Sequence, residues 1–272
     1  MEYAVFNLIP KASPKEALVK LRQLRQTLHF GRKLGRVYLG AESCVRLLPT
    51  LSQLERHINQ VQEAGYGFTF VIPAMVSEFE VGKIRKLLGF LAGGKRKVEV
   101  VINDWGVLSL AQEYDNLVLI LGRLLNKRER DPRVDYKKLP PWLLRILRGS
   151  MVDDQRWLGF LKAKRIVAIE YDNVRQGLAA TGDLMGVQLH LYYPHVVASL
   201  SRECIYSSTT KAGPSLGGCQ RSCLDYFVQR EISGPAGLKA TSCDQLGKGI
   251  YYENDEMPKG LGIFSRCIVT SL

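Results

Sequence analysis

The chain has 272 residues, 46% of them apolar, and carries 38 Lys and Arg against 26 Asp and Glu, a formal charge of +12 with six cysteines. That length supports a full hydrophobic core in one large α/β domain. No run of eighteen apolar residues and no basic, apolar, small-residue leader is present, so the expectation is a cytoplasmic protein without a transmembrane segment, whose cysteines are not a disulfide framework.

The elements alternate. An apolar run over Tyr3 to Ile9 predicts a strand, followed by a helix with Ser13 as N-cap, Pro14 at its first position, Glu16 in its first turn, and Leu18, Leu21, Leu24 and Leu28 on one face. Strands follow over Arg36 to Gly40, Gly67 to Pro73, Lys97 to Asp104, Asn116 to Gly122, Arg165 to Asp172 and Val187 to Tyr193. Helices are expected over Ser52 to Ala64, over Val76 to Leu91 with Phe79, Ile84, Leu87 and Leu88 facing the core, over Val107 to Glu113, and around Trp142 to Leu147 and Gln155 to Ala163. Short β-rich runs alternating with helices mark βα units and a parallel sheet buried on both faces. Seven such units predict a single-domain α/β fold, a TIM-barrel-like (β/α) barrel. The segment 229–272 is expected to supply an eighth strand or a small β extension.

No Gly-x-Gly-x-x-Gly follows a strand and no Walker-type loop, Ser-His-Asp set or His-Glu-x-x-His motif is present, so nucleotide-binding open sheets and peptidase chemistry lack residue-level support. A barrel keeps its chemistry at the C-terminal strand ends. Those ends read Asn7, Glu42 and Cys44, Pro73, Asn103 and Asp104, Arg123 and Asn126, Glu170 and Asp172, then His190, Tyr192 and His195. Arg123, with Asn126 nearby, is suited to clamp a carboxylate. Asn103 and Asp104 offer hydrogen bonds to a substrate, although Asp104 also reads as a helix N-cap. His190 and Tyr192 share a strand face and are the acid–base candidates.

The cysteines of Ser201 to Tyr226 are the strongest metal signal. Cys219 and Cys223 are four apart and Cys204 lies fifteen residues before Cys219. A barrel carries Cys44 to the same face, making a fourth ligand. Cys243 in a polar context is an alternative fourth ligand, while Cys267, preceding an apolar run, reads as packing. Spacing alone leaves an iron-sulfur cluster and structural zinc open. Between Leu121 and Ser150, nine basic residues face three acidic ones, read as a solvated basic face or an RNA-binding strip.

The phrases LGAESC (Leu39 to Cys44), VINDWGVL (Val101 to Leu108), LGRLLNKRERDPR (Leu121 to Arg133) and LHLYYPHVVASLSREC (Leu189 to Cys204), with the Cys219 and Cys223 pair, resemble the collagenase-like peptidase family U-thirty-two, within it the short UbiV-like members. The resemblance covers the chain to about Tyr226. It implies a TIM-barrel-like fold and a 4Fe-4S cluster held by Cys44, Cys204, Cys219 and Cys223. It also implies an oxygen-independent hydroxylase, or its subunit, acting on a quinone ring or on RNA bases. The implied partners are prephenate, an acidic small molecule, as oxygen source and a longer homologous subunit in a heterodimer. A non-catalytic partner with a structural metal site is the remaining expectation.

Overall fold

The computed structural model describes residues 1–8, 19, 23, 34–179, 184–207, 219–225, 228–233, 240–258 and 260–271. Seven strands, β1 (Glu2–Asn7), β2 (Leu34–Gly40), β3 (Gly67–Ile72), β4 (Val98–Ile102), β5 (Leu117–Leu121), β6 (Ile166–Asp172) and β7 (Gln188–Tyr193), pair in parallel in chain order. At the cis Tyr193–Pro194 peptide the chain leaves the ring and forms a four-stranded antiparallel sheet from β8 (His195–Leu200), β9 (Val228–Ile232), β10 (Thr241–Leu246) and β11 (Gly249–Glu253). It returns as β12 (Arg266–Ser271), which pairs in parallel with both β7 and β1 and closes an eight-stranded barrel. The C-terminal segment thus supplies both the eighth strand and a β extension. Of the expected helix after β1 only Val19 and Gln23 are described, both helical; Ser13, Pro14, Glu16 and the four leucines fall outside the described residues.

The helices follow local chemistry. Helix α1 (Leu51–Glu63) begins at a Thr50–Gln53 capping box, and α2 (Glu78–Ala92) at a Ser77–Glu80 box. Asp104 caps α3 (Trp105–Ala111) by accepting from the Gly106 and Val107 amides. Helix α4 (Pro141–Arg148) takes proline at its first position, and α5 (Gln155–Ala163) follows Asp154. Ile84, Leu87 and Leu88 are buried as expected, but Phe79 is 99% exposed. Leu88 lies nine positions beyond Phe79, about two and a half helical turns, so the two point to opposite sides.

The barrel interior is layered. At the N-terminal end, Arg266 binds Glu2 (2.6 Å) and Glu99 (2.7 Å) across the ring, and Arg36 approaches the same two carboxylates. Burial alone would raise the Glu99 carboxyl; the Arg266 and Arg36 guanidiniums hold it below its ordinary value. Above lies an aromatic layer, with Phe6, Tyr38 and Tyr192 in mutual contact at ring-centre distances of 6.0 to 6.3 Å. At the top, β2 ends at Gly40 with φ of 111°, where an added Cβ would press into the Val71 carbonyl oxygen. This turn aims the following Ala41–Cys44 segment over the mouth. Gly40→Ala combines forbidden backbone with a backbone clash, and is expected to lower the unfolding free energy by about 3 kcal/mol or more in urea titration.

Candidate functional site

Arg123, one residue past Gly122 at the end of β5, is 0% exposed and holds the mouth together. Its Nε donates to Glu42 Oε2 (2.9 Å) and its Nη2 to Glu42 Oε1, a bidentate pair; Nη1 donates to Asp172 Oδ1 (2.9 Å) and to the His195 carbonyl (2.6 Å). The guanidinium also lies 3.9 Å from the centre of the Tyr192 ring. Arg130 donates to the other Asp172 oxygen at 2.7 Å and to the Arg123 and Asn126 carbonyls. Burial alone would raise the Asp172 carboxyl, but Arg130 and Arg123 keep it below its usual range. Burial opposes the charge on Arg123, yet Glu42 and Asp172 raise its pKa. The β8 sheet sits on this network, because the Val197 amide donates to Asp172 Oδ1 (3.3 Å) and Tyr251 packs into the same core.

The expected carboxylate clamp is therefore occupied by the protein's own Glu42 and Asp172. The other expected substrate contacts are likewise committed. Asn103 donates to the Ile72 carbonyl and accepts from the Leu124 amide, in space left because residue 122 is glycine. Asn126 donates to the Glu170 carbonyl, while its buried side-chain oxygen makes no full hydrogen bond among the described residues. Asp104 caps α3 and accepts from the Val76 amide. The basic segment also differs from a uniformly solvated face: Arg123 is buried, Arg128 covers Tyr171 with its pKa lowered to about 10 by burial, Arg130 is half-buried, and Arg133 pairs with Asp131.

His190 and Tyr192 both lie in the barrel interior. Neither His190 ring nitrogen has a hydrogen-bond partner among the described residues, and burial lowers its pKa to about 3, so it is neutral. Glu170, one strand over and fully buried, has its carboxyl pushed up to about 8 by burial. The Tyr192 and Tyr38 hydroxyls lie near it, yet neither carboxyl oxygen makes a fully formed hydrogen bond. Glu42, Glu170, Asp172 and His195 are visible in the sequence as strand ends. Tyr38, Tyr251 and Arg130 are not, since an alternating strand and a basic run hide them.

Cys44 sits in the turn after β2, two residues beyond Glu42, at the N-terminus of the short helix Val45–Leu47. Cys204 lies in a turn beyond β8, tied by the Ser207 amide and hydroxyl donating to its carbonyl. Tyr206 fastens that turn to the extension, donating to the Gln245 carbonyl (2.7 Å) and accepting from the Val228 amide (3.1 Å). Cys223 is buried in the short helix Ser222–Leu224. Burial raises the Cys44 thiol, with Cys204 and Cys219 adding to the shift. Burial pushes Cys223 up to about 12, with Cys204, Cys44 and Cys219 contributing. The four thiols thus lie within electrostatic reach of one another, although among the described residues no three His, Cys, Asp or Glu side chains already stand in the geometry of a metal site.

Three cations border the cluster. Lys248 acts on Cys44, and Lys83, held by the Val45 and Leu48 carbonyls at 3.1 Å each, acts on Cys44 and lies near Arg221. Cys243 and Cys267 stand apart: Cys243 is buried among Val174, Val196 and Tyr252, and Cys267 beside Tyr3 and Val269. No helix among the described residues is long and apolar enough to cross a membrane. No family model, curated protein or solved structure matches the chain.

Arg123→Leu leaves the buried Glu42 carboxylate without its guanidinium and Asp172 with Arg130 alone, and is expected to cost about 3 to 5 kcal/mol of unfolding free energy in urea. For Glu170, the folded form keeps a proton that the unfolded chain loses near 4.5, so its contribution to stability declines as pH rises from about 4.5 to about 8. His190 acts oppositely, losing stability as pH falls from 6.5 towards about 3. Melting curves across that range should show Glu170→Gln flattening the alkaline limb and exceeding the parent's stability near pH 8.

Proposed function

We propose that the chain is an iron-sulfur protein of the oxygen-independent hydroxylase type, binding a 4Fe-4S cluster through Cys44, Cys204, Cys219 and Cys223. One observation carries the reading: four cysteines from three stretches of sequence gather at the C-terminal mouth of a parallel barrel, while Cys243 and Cys267 pack elsewhere. The donor set fits the group, since such clusters are held by cysteinates and their potential responds to nearby charge and burial. Lys83, Arg221 and Lys248 are placed to offset the negative charge of four thiolates. When bound, the cluster supplies electron transfer; the chain's own residues hold it, exclude water and fix the mouth. The resemblance to the U-thirty-two family supports a quinone-like aromatic substrate.

A second reading, a subunit with a structural cluster whose homologous partner holds the substrate, is favoured by the buried Arg123 network. The groups suited to bind an acidic molecule such as prephenate are already paired internally. An RNA-directed activity has less support, because Arg123, Arg128, Arg130 and Arg133 are turned to internal contacts.

Protein purified without oxygen is expected to be brown and to contain iron and acid-labile sulfide in equal amounts. Cys219→Ala should lose most of the iron, and Cys243→Ala should retain it. Colourless protein holding one zinc per chain would reject the cluster. Size measurement after mixing with a longer homologue separates the subunit reading from a chain acting alone.

A further inference from the structure

The basic segment after β5 divides into two halves with different fates. Its first half supplies Arg123, Arg128, Arg130 and Arg133 to internal contacts. The second half, residues 137–148, carries Lys137, Lys138, Arg145 and Arg148 with no acidic residue of its own; Lys138, its side chain still 81% exposed, reaches back to Asp135 at 3.6 Å. It contains α4, which buries no residue at all. Trp142 is 63% exposed and Ile146, one turn on, is 64% exposed. The two therefore form one apolar edge on a helix whose remaining outer surface is basic.

The helix is nevertheless firmly seated. The Leu147 carbonyl accepts from Gln176 Nε2 (3.1 Å), the Arg148 carbonyl from Arg128 Nη2 (2.9 Å), and Arg148 Nε donates to the Gln176 carbonyl (2.6 Å). Its C-terminal end is pinned and its Trp142–Ile146 edge stands outward. Gln176, four residues past the end of β6, holds the last turn of α4, which puts that turn at the same end of the barrel as the cysteines.

We propose that α4 docks the protein on an anionic lipid bilayer, with Trp142 and Ile146 entering the boundary between headgroups and acyl chains and Lys137, Lys138 and Arg145 facing lipid phosphates. A tryptophan beside an aliphatic residue, set among lysines and arginines, is the chemistry of an interfacial helix. The local charge complements an anionic leaflet. A protein partner fits less well, since a stable interface takes about 800 Å² from each side and a projecting eight-residue helix offers a fraction of that. Nucleic acid fits less well because the outward edge is apolar. The proposal does not depend on what the four cysteines hold.

Flotation of the full chain with vesicles tests it. Recovery with vesicles containing about a third phosphatidylglycerol should far exceed recovery with pure phosphatidylcholine, and should fall as salt rises. Trp142→Ala with Ile146→Ala, and separately Arg145→Glu, should each weaken binding about tenfold or more. Phe79→Ala, which removes another exposed aromatic, should leave binding unchanged. Unchanged circular dichroism and melting midpoint verify folding, and Arg145→Glu carries the readout should the double variant melt early. Failure to float with either vesicle overturns the proposal, as does a double variant that binds like the parent. RNA binding, or self-association that depends on Trp142, found without vesicle binding also overturns it.

Discussion

The Arg123 guanidinium is the interaction on which the upper half of the molecule depends. It joins the turn after β2, the end of β6 and the start of β8 through Glu42, Asp172 and the His195 carbonyl. An isolated charge could not be buried here; two carboxylates, a carbonyl and an aromatic face replace the lost water. Arg130 satisfies the second oxygen of Asp172, so Asp172 bridges two guanidiniums. Such a network yields little net stability relative to apolar packing, but it fixes geometry. Glu42 cannot move without moving Cys44, two residues later, and His195 cannot move without moving the sheet that anchors the Cys204 turn.

The barrel is thereby closed at both ends by different ion networks, Arg266 with Glu2 and Glu99 below and Arg123 with Glu42 and Asp172 above. Between them lie Glu170, His190 and the Phe6–Tyr38–Tyr192 layer, a packed interior that holds its titratable groups neutral. The surface features lie outside this plug. The β10–β11 turn sets Gly247 beside the cysteine turn, where a Cβ added at residue 247 would lie 3.8 Å from the Cys44 Cβ, so the extension rests on that turn. The same end of the barrel carries α4. The proposed cluster and the proposed bilayer contact would then be properties of one rim.

The barrel was legible because its strands are short apolar runs whose spacing leaves room for helices, and Asp104 marks a helix start by its cap. Phe79 misled because hydrophobicity alone does not assign a helix face; the phase set by Ile84, Leu87 and Leu88 does. Topology and polar context nominated Cys44, Cys204, Cys219 and Cys223 and set Cys267 aside, but polar context also kept Cys243 as an alternative, which the fold buries among Val174, Val196 and Tyr252. The pairing of Arg123 could not: its partners are 81 and 49 residues away, and residue type alone suits a substrate carboxylate equally well. Tyr38 and Arg130 were hidden for a similar reason, since nothing local distinguishes an inward tyrosine or a bridging arginine from its neighbours.

If the four gathered cysteines hold one cluster, as proposed, its iron and sulfide travel with the folded chain. Native mass spectrometry of the anaerobically prepared chain tests it most directly. The expected result is a mass increment of one four-iron, four-sulfide unit on the parent, retained in Cys267→Ala and absent from Cys44→Ala. A parent that carries only a single zinc, or a Cys44→Ala variant that keeps the full increment, would contradict it.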